Sequence, residues 1–286
     1  MVDWLLGMGG EAFCAHPVQI DGCPFALTSN IRRGSVAYRV SELRGGRTLR
    51  SRSFEVEGFT AVHGGFAVTK DFYALFAPAL SLDTWRFARG GAMADCVSQE
   101  TTGTRLVVVD RYSRAAPEVL NLDSDVFVTH IANAYQSGRD LVIDAVTSGS
   151  LESLRAGRDV RLVRFETSAG AVSTRVLHTG PLEFPVMSPN EKGHPYRFVY
   201  ACATPWGWIK QDVQTSQTWT VSCCNGPHTE PVVVTTEDGC WLVGVAFHRS
   251  GKKLCVVDAQ TMLIRCVYDA RDANALGLHG MWVSSR

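Results

Sequence analysis

The chain has 286 residues, of which 45% are hydrophobic and 20% charged; this excludes a disordered polypeptide and supplies enough apolar material for a sizeable core. Twenty-eight basic residues balance twenty-eight acidic ones, so no net field favours nucleic acid or an anionic membrane as a partner. No apolar run approaches the roughly 18 residues of a membrane span, and nine cysteines, an odd number with no Cys-x-x-Cys pair, read as reduced thiols of an intracellular protein.

The opening residues, Met1 to Met8, lack the basic n-region of a secretory signal and read as though the chain begins within a domain. Residues 11 to 40 alternate short strands with turn chemistry: Asp21-Gly22 is a turn, and Phe25–Thr28 and Val36–Val40 are strands. The pattern repeats with Phe59–Thr69, which contains His63, a turn at Lys70-Asp71, and Phe72–Ala77. Residues 78 to 103 are less regular, and Trp85 and Phe87 are expected to pack a long connection. Arg105–Asp110 is a buried-strand run. Val126–Tyr135 and Leu141–Val146 flank the turn signal Gln136-Ser137-Gly138-Arg139-Asp140 and predict a β-hairpin carrying His130.

Leu151–Arg155 suits one short helix, and Arg161–Glu166 alternates as a half-exposed strand does. Strand-like runs then recur at Phe184–Met187, Tyr196–Tyr200, Trp206–Lys210, Pro231–Val234, Cys240–Phe247 and Lys253–Asp258. Many short strands with little helical periodicity predict an all-β propeller, barrel or sandwich. No linker divides residues 1–286, so the expectation is one domain. No internal repeat period can be defined.

The nucleophile elbow, the P-loop and the dinucleotide loop are all absent: Gly7-Met8-Gly9-Gly10 lacks the third glycine of a dinucleotide loop and a preceding strand. Chemistry therefore falls to the eight histidines. His16, His63, His130 and His279 each lie at a strand edge among small or apolar residues, whereas His178, His194, His228 and His248 lie in polar connections and read as surface or turn residues. Neutral imidazoles from separate strands can meet on the axis of a closed β architecture. An all-nitrogen set suits iron(II) and would also accept zinc or copper. Ligating imidazoles give their second N–H to a carboxylate or carbonyl. Glu183, in Leu182-Glu183-Phe184-Pro185, and Glu230, in Thr229-Glu230-Pro231-Val232, suit that role; exposed acids at strand starts are the plainer reading.

Seven segments in order carry a resemblance: Ala15-His16-Pro17, Val62–Thr69, His130–Tyr135, Glu183-Phe184-Pro185, Gly193–Tyr200, Glu230–Val234 and Leu278–Val283. Together they resemble the carotenoid cleavage oxygenase family from about its first iron ligand to its C-terminus. The resemblance implies a seven-bladed β-propeller, incomplete here at the N-terminus, with Fe(2+) held by His16, His63, His130 and His279 and with Glu183 and Glu230 behind those ligands. It implies addition of O2 across a conjugated double bond of a carotenoid or apocarotenoid to give two carbonyl products, in cytoplasm or plastid, with peripheral membrane contact through an apolar patch. No amphipathic helix that would make such contact is evident.

Two departures from the family accompany the resemblance. Only fifteen residues precede His16, and one more glycine than usual follows His63, which would shift that ligand through a bulge. Other readings stay open: a truncated, inactive propeller fragment acting as an interaction module through open strand edges, or a member of the retinoid-isomerase or stilbene-cleaving branches. The aromatics Phe66, Phe76, Phe127, Tyr135, Phe184, Trp85 and Trp282 are candidates to line an apolar substrate tunnel.

Overall fold

The computed structural model describes residues 5–6, 12–14, 16–60, 65–123, 126–203 and 207–270. His63, His279 and Trp282 lie outside them. Within these residues the chain forms five antiparallel sheets, laid down one after another along the sequence. The first has six strands, with Cys23–Arg32, Ser35–Arg44 and Arg47–Glu57 at its centre and the short Val18–Ile20 paired to Cys23–Arg32. The other four are four-stranded and begin at Ala67–Val68, Phe127–Ser137, Leu182–Val186 and Val232–Thr236.

The sequence makes sheets because its apolar runs are short, rich in Val, Ile, Phe and Tyr, and bounded by Gly, Asn and Asp. The predicted hairpin is present as Phe127–Ser137 paired with Asp140–Ser148, closed by Gly138 at φ 66°. Leu151–Arg155 is a helix, capped by Ser150 accepting from the Ser153 N–H.

Four apolar cores fill the spaces between successive sheets, so the inner sheets are buried on both faces. Along Val97–Asp110, Val107 and Val109 enter the first core while Leu106 and Val108 enter the second. The same division occurs in Asp140–Ser148, where Ile143 and Ala145 face the second core and Val146 the third. Side chains alternate across a strand, and here both destinations are apolar. The strands therefore read as continuous hydrophobic runs.

The first four sheets touch in a row: Val18–Ile20 contacts Ala67–Val68, which contacts Phe127–Ser137, which contacts Leu182–Val186. Of the residues singled out from the sequence, His16, His130, Glu183 and Glu230 sit on or just before the strands Val18–Ile20, Phe127–Ser137, Leu182–Val186 and Val232–Thr236.

Trp85 and Phe87 do not pack a connection. They stand 76% and 43% exposed on the short helix Thr84–Ala88, because a five-residue helix has no second turn with which to bury an aromatic pair. Among the described residues no helix is long and apolar enough to cross a membrane.

Candidate metal centre

His130 lies within Phe127–Ser137, where the ladder is twice irregular. Val128 pairs with Thr147 and His130 with Val146, leaving Thr129 as an extra residue; a second extra residue, Ala132, falls between Ile131 and Asn133. Such bulges re-aim side chains locally. Here Thr129 and His130 are both buried, instead of facing opposite ways with one exposed.

Glu183 is aimed by a corresponding device. It pairs with Cys202, and Val186 pairs with Tyr200, so the segment through Phe184 and Pro185 carries one residue more than its partner. Phe184 absorbs the excess in the left-handed region at φ 56°, a conformation that costs a bulky residue roughly 1–3 kcal/mol and is tolerated where the surroundings demand it. The result is a 2.6 Å contact between His130 Nδ1 and Glu183 Oε2, with the Phe184 N–H donating to the same oxygen at 3.2 Å. The Phe184 ring lies 5.0 Å from that of His130.

Burial works to raise the Glu183 pKa, but the His130 contact, together with Thr129 and the Phe184 N–H, outweighs it and holds the carboxyl below its ordinary range. The ionised carboxylate then selects the imidazole tautomer with hydrogen on Nδ1, which presents the Nε2 lone pair on the opposite side of the ring.

His16 meets His130 edge to face, with ring centroids 4.8 Å apart and planes at 88°. It precedes Val18–Ile20 and is held from two sides. The Cys14 N–H donates to the Leu27 carbonyl at 2.9 Å, and the Cys14 sulfur accepts from the backbone N–H groups of His16 and Gly65. Gly65 has φ 104°, and a Cβ there would stand 3.3 Å from the His16 Cβ. The glycine-rich segment after His63, expected from the sequence to disturb a ligand, thus contains the close approach that seats His16.

Glu230 is half-buried, just ahead of Val232–Thr236. The Cys202 thiol lies in the field of both carboxylates; burial, then Glu230 and Glu183, push its pKa up to about 12. Its sulfur is 3.2 Å from the Thr229 carbonyl. Cys202, which sequence reasoning passed over, thus lies near both glutamates and opposite Glu183 in the strand pair, a position that no sequence motif marks. Lys192 also faces Glu230; burial lowers its pKa and Glu230 partly restores it.

The structure thus brings together His16, His130 and Glu183. Among the described residues no group of three or more His, Cys, Asp or Glu side chains forms a complete metal site. Two imidazoles at an edge-to-face angle, one of them oriented by a carboxylate, are a donor set that fits a nitrogen-ligated metal.

Of the histidines read as surface or turn residues, His194 is exposed, with an Asp21 contact at 3.5 Å. His228 is instead half-buried, its ring 5.5 Å from that of Trp208. Of the tunnel candidates, Phe66, Phe76 and Phe127 are buried at 1%, 4% and 4% exposure, and Phe184 is placed against a candidate ligand.

The family model described as retinal pigment epithelial membrane protein matches residues 1–284. The chain is 24% identical over 321 residues to the apocarotenoid-15,15'-oxygenase of Synechocystis sp. (strain ATCC 27184 / PCC 6803 / Kazusa), covering 96% of this chain and 64% of that protein. The crystal structure of cobalt-substituted Synechocystis ACO superposes with a TM-score of 0.85 at 23% identity, covering 96% of this chain and 66% of that one. An ACO/RPE65 chimera gives 0.78 at 22% identity, covering 88% and 60%. The five sheets are accordingly those of a β-propeller, as the sequence led one to expect, and they are open sheets. The chain spans 64% of the length of the curated relative it matches.

Proposed function

Given that the chain belongs to the retinal pigment epithelial membrane protein family, the carotenoid oxygenases, we propose that it works as a single propeller unit and is a non-haem Fe(2+) dioxygenase that cleaves a conjugated double bond of a carotenoid or apocarotenoid to two carbonyl products. The observation that carries this reading is the His16, His130 and Glu183 constellation, with its 2.6 Å carboxylate–imidazole contact. On this reading His16 and His130 would hold the metal together with His63 and His279. Iron in an all-imidazole set supplies O2 binding and activation.

The chain's own groups do the rest. Glu183 keeps hydrogen on His130 Nδ1 and fixes the ring direction. Gly65 and Cys14 hold His16 in place. Phe184 presents an apolar ring beside the candidate ligand, and a polyene, having no charge to recognise, must be held by apolar surface of this kind. No side chain near His130 is required to move a proton, since the overall reaction adds both oxygen atoms and releases none.

The test is product chromatography of the Fe(II)-loaded chain with an apocarotenal under O2. Two shorter carbonyl products are expected, each carrying label from 18O2, and His130→Ala should abolish both. Cleavage that persists undiminished in that variant would overturn the proposal.

A further inference from the structure

Away from the metal centre, two cysteines from neighbouring sheets share one apolar cluster. Cys223 follows Thr218–Val221, the last strand of the fourth sheet, and Cys255 lies within Gly251–Asp258 of the fifth. The segment between Cys223 and Thr229 is tied to the fifth sheet by backbone bonds from Phe247 N to the Pro227 carbonyl and from Thr229 N to the Val245 carbonyl, both 2.8 Å. Gly226 is pressed against that strand so closely that a Cβ would fall 1.7 Å from the Phe247 carbonyl oxygen.

His228 turns Cys223 inward: its Nε2 accepts the Cys223 N–H at 3.2 Å, and its Nδ1 donates to the Gly226 carbonyl at 2.8 Å. The His228 ring packs on Trp208, Trp208 lies over Gly244, and Gly244 is the cross-strand partner of Cys255. Cys223 packs against the same apolar cluster that contains Cys255, and the two thiols are near enough for each to shift the other's titration. Cys255 is fully buried and Cys223 half-buried.

We propose that Cys223 and Cys255 are a reversible thiol–disulfide site, oxidised by a low-molecular-weight disulfide such as oxidised glutathione and cross-linking the fourth and fifth sheets. The half-buried Cys223 is the sulfur that meets the oxidant. The neighbouring Cys255 thiol lowers the Cys223 pKa below the ordinary thiol value against the opposing effect of burial, with His228 adding to the lowering; the Cys223 thiol and burial push Cys255 up. The opposite directions make Cys223 the attacking sulfur and Cys255 the resolving one.

The Cys223 thiolate attacks one sulfur of the external disulfide, whose S–S bond breaks to release one thiolate. Cys255 then attacks the Cys223 sulfur, the protein S–S bond forms, the second external thiol leaves, and the Cys255 proton ends on a released thiol. Two protein thiols are oxidised by two electrons, and one external disulfide is reduced to two thiols. The segment so fastened runs directly into Glu230.

The full native chain would be incubated with oxidised glutathione, alkylated in denaturant and digested with trypsin without reduction. The expected product is residues 211–249 joined to residues 254–265, two hydrogens lighter than the separate peptides and separated by dithiothreitol. The link should survive Cys224→Ser and Cys240→Ser and vanish in Cys223→Ser. In Cys255→Ser, residues 211–249 should instead carry a trapped glutathione. Recovery of both wild-type peptides fully alkylated, or persistence of the link in Cys223→Ser, would overturn the proposal; neither outcome depends on whether the buried Cys255→Ser variant folds.

Discussion

At the scale of single residues, the site rests on two positions that depart from ordinary backbone rules. Phe184 is a bulky residue at φ 56° and Gly65 a glycine at φ 104°, and each serves a histidine. Gly65→Ala should therefore do more than cost the roughly 1 kcal/mol expected of a side chain in that conformation. Its Cβ would press on His16, so metal retained after dialysis should fall while the far-UV circular dichroism stays as in wild type. Glu183→Gln keeps the shape and removes the charge that fixes the His130 tautomer. Metal affinity should drop roughly 10- to 100-fold, measurable by competition with a chelator, and an unchanged affinity would deny Glu183 its orienting role. These residues were legible in the sequence as a His and a Glu at strand edges. What joins His130 to Glu183 was not, because it depends on two bulges that shift register by one residue each and leave no compositional mark.

At the scale of elements, three strand ends share a device. Asp110, Asp212 and Asp258 each end the third strand of a sheet, and each accepts from the backbone N–H groups two and three residues on: Tyr112 and Ser113, Gln214 and Thr215, Gln260 and Thr261. The sequence shows it as Asp-x-x-Ser/Thr, a weak internal repeat that becomes visible once the sheets are known. The sheet between the first two breaks it with Ala169 and Gly170 at positive φ, which is why no period could be read. Asp212, with no exposed side-chain surface, also accepts from Arg197 at 2.9 Å. Its loss in Asp212→Ala should cost about 2 kcal/mol in urea unfolding.

The backbone N–H groups hold the carboxyls of Asp110 and Asp258 below the ordinary range, and at Asp212 burial is outweighed by the same bonds. Groups depressed in the folded state contribute stability that is fully present above the unfolded carboxylate pKa of about 4 and is lost as pH falls through the folded values. The gap in urea midpoint between wild type and Asp212→Asn should accordingly narrow below about pH 4. A gap that widened there would reverse the sign of the linkage. Within the third sheet, Arg164 makes a two-point bond to the buried Asp144, at 2.8 and 2.7 Å, and Tyr196 donates to the same carboxylate. Arg164→Met would strand that charge and should cost about 3–5 kcal/mol.

At the scale of the whole molecule, the all-β class was legible because strands and turn residues alternate through nearly the full length. The stacking of sheets was less so: with both faces buried, Leu106–Val109 and Leu141–Val146 read as unbroken apolar runs that fit a sandwich as well as a propeller. The functional reading then reduces to whether the first strands of successive sheets deliver imidazoles to one metal. The most direct measurement is iron stoichiometry after anaerobic loading and desalting, followed by pulsed electron–nuclear spectroscopy of the nitric oxide adduct to detect ligating histidine nitrogen. One iron per chain with imidazole nitrogen coupling, lost in both His16→Ala and His130→Ala, is the predicted result. Iron that binds equally well in His130→Ala, or that shows no nitrogen coupling in wild type, would contradict it.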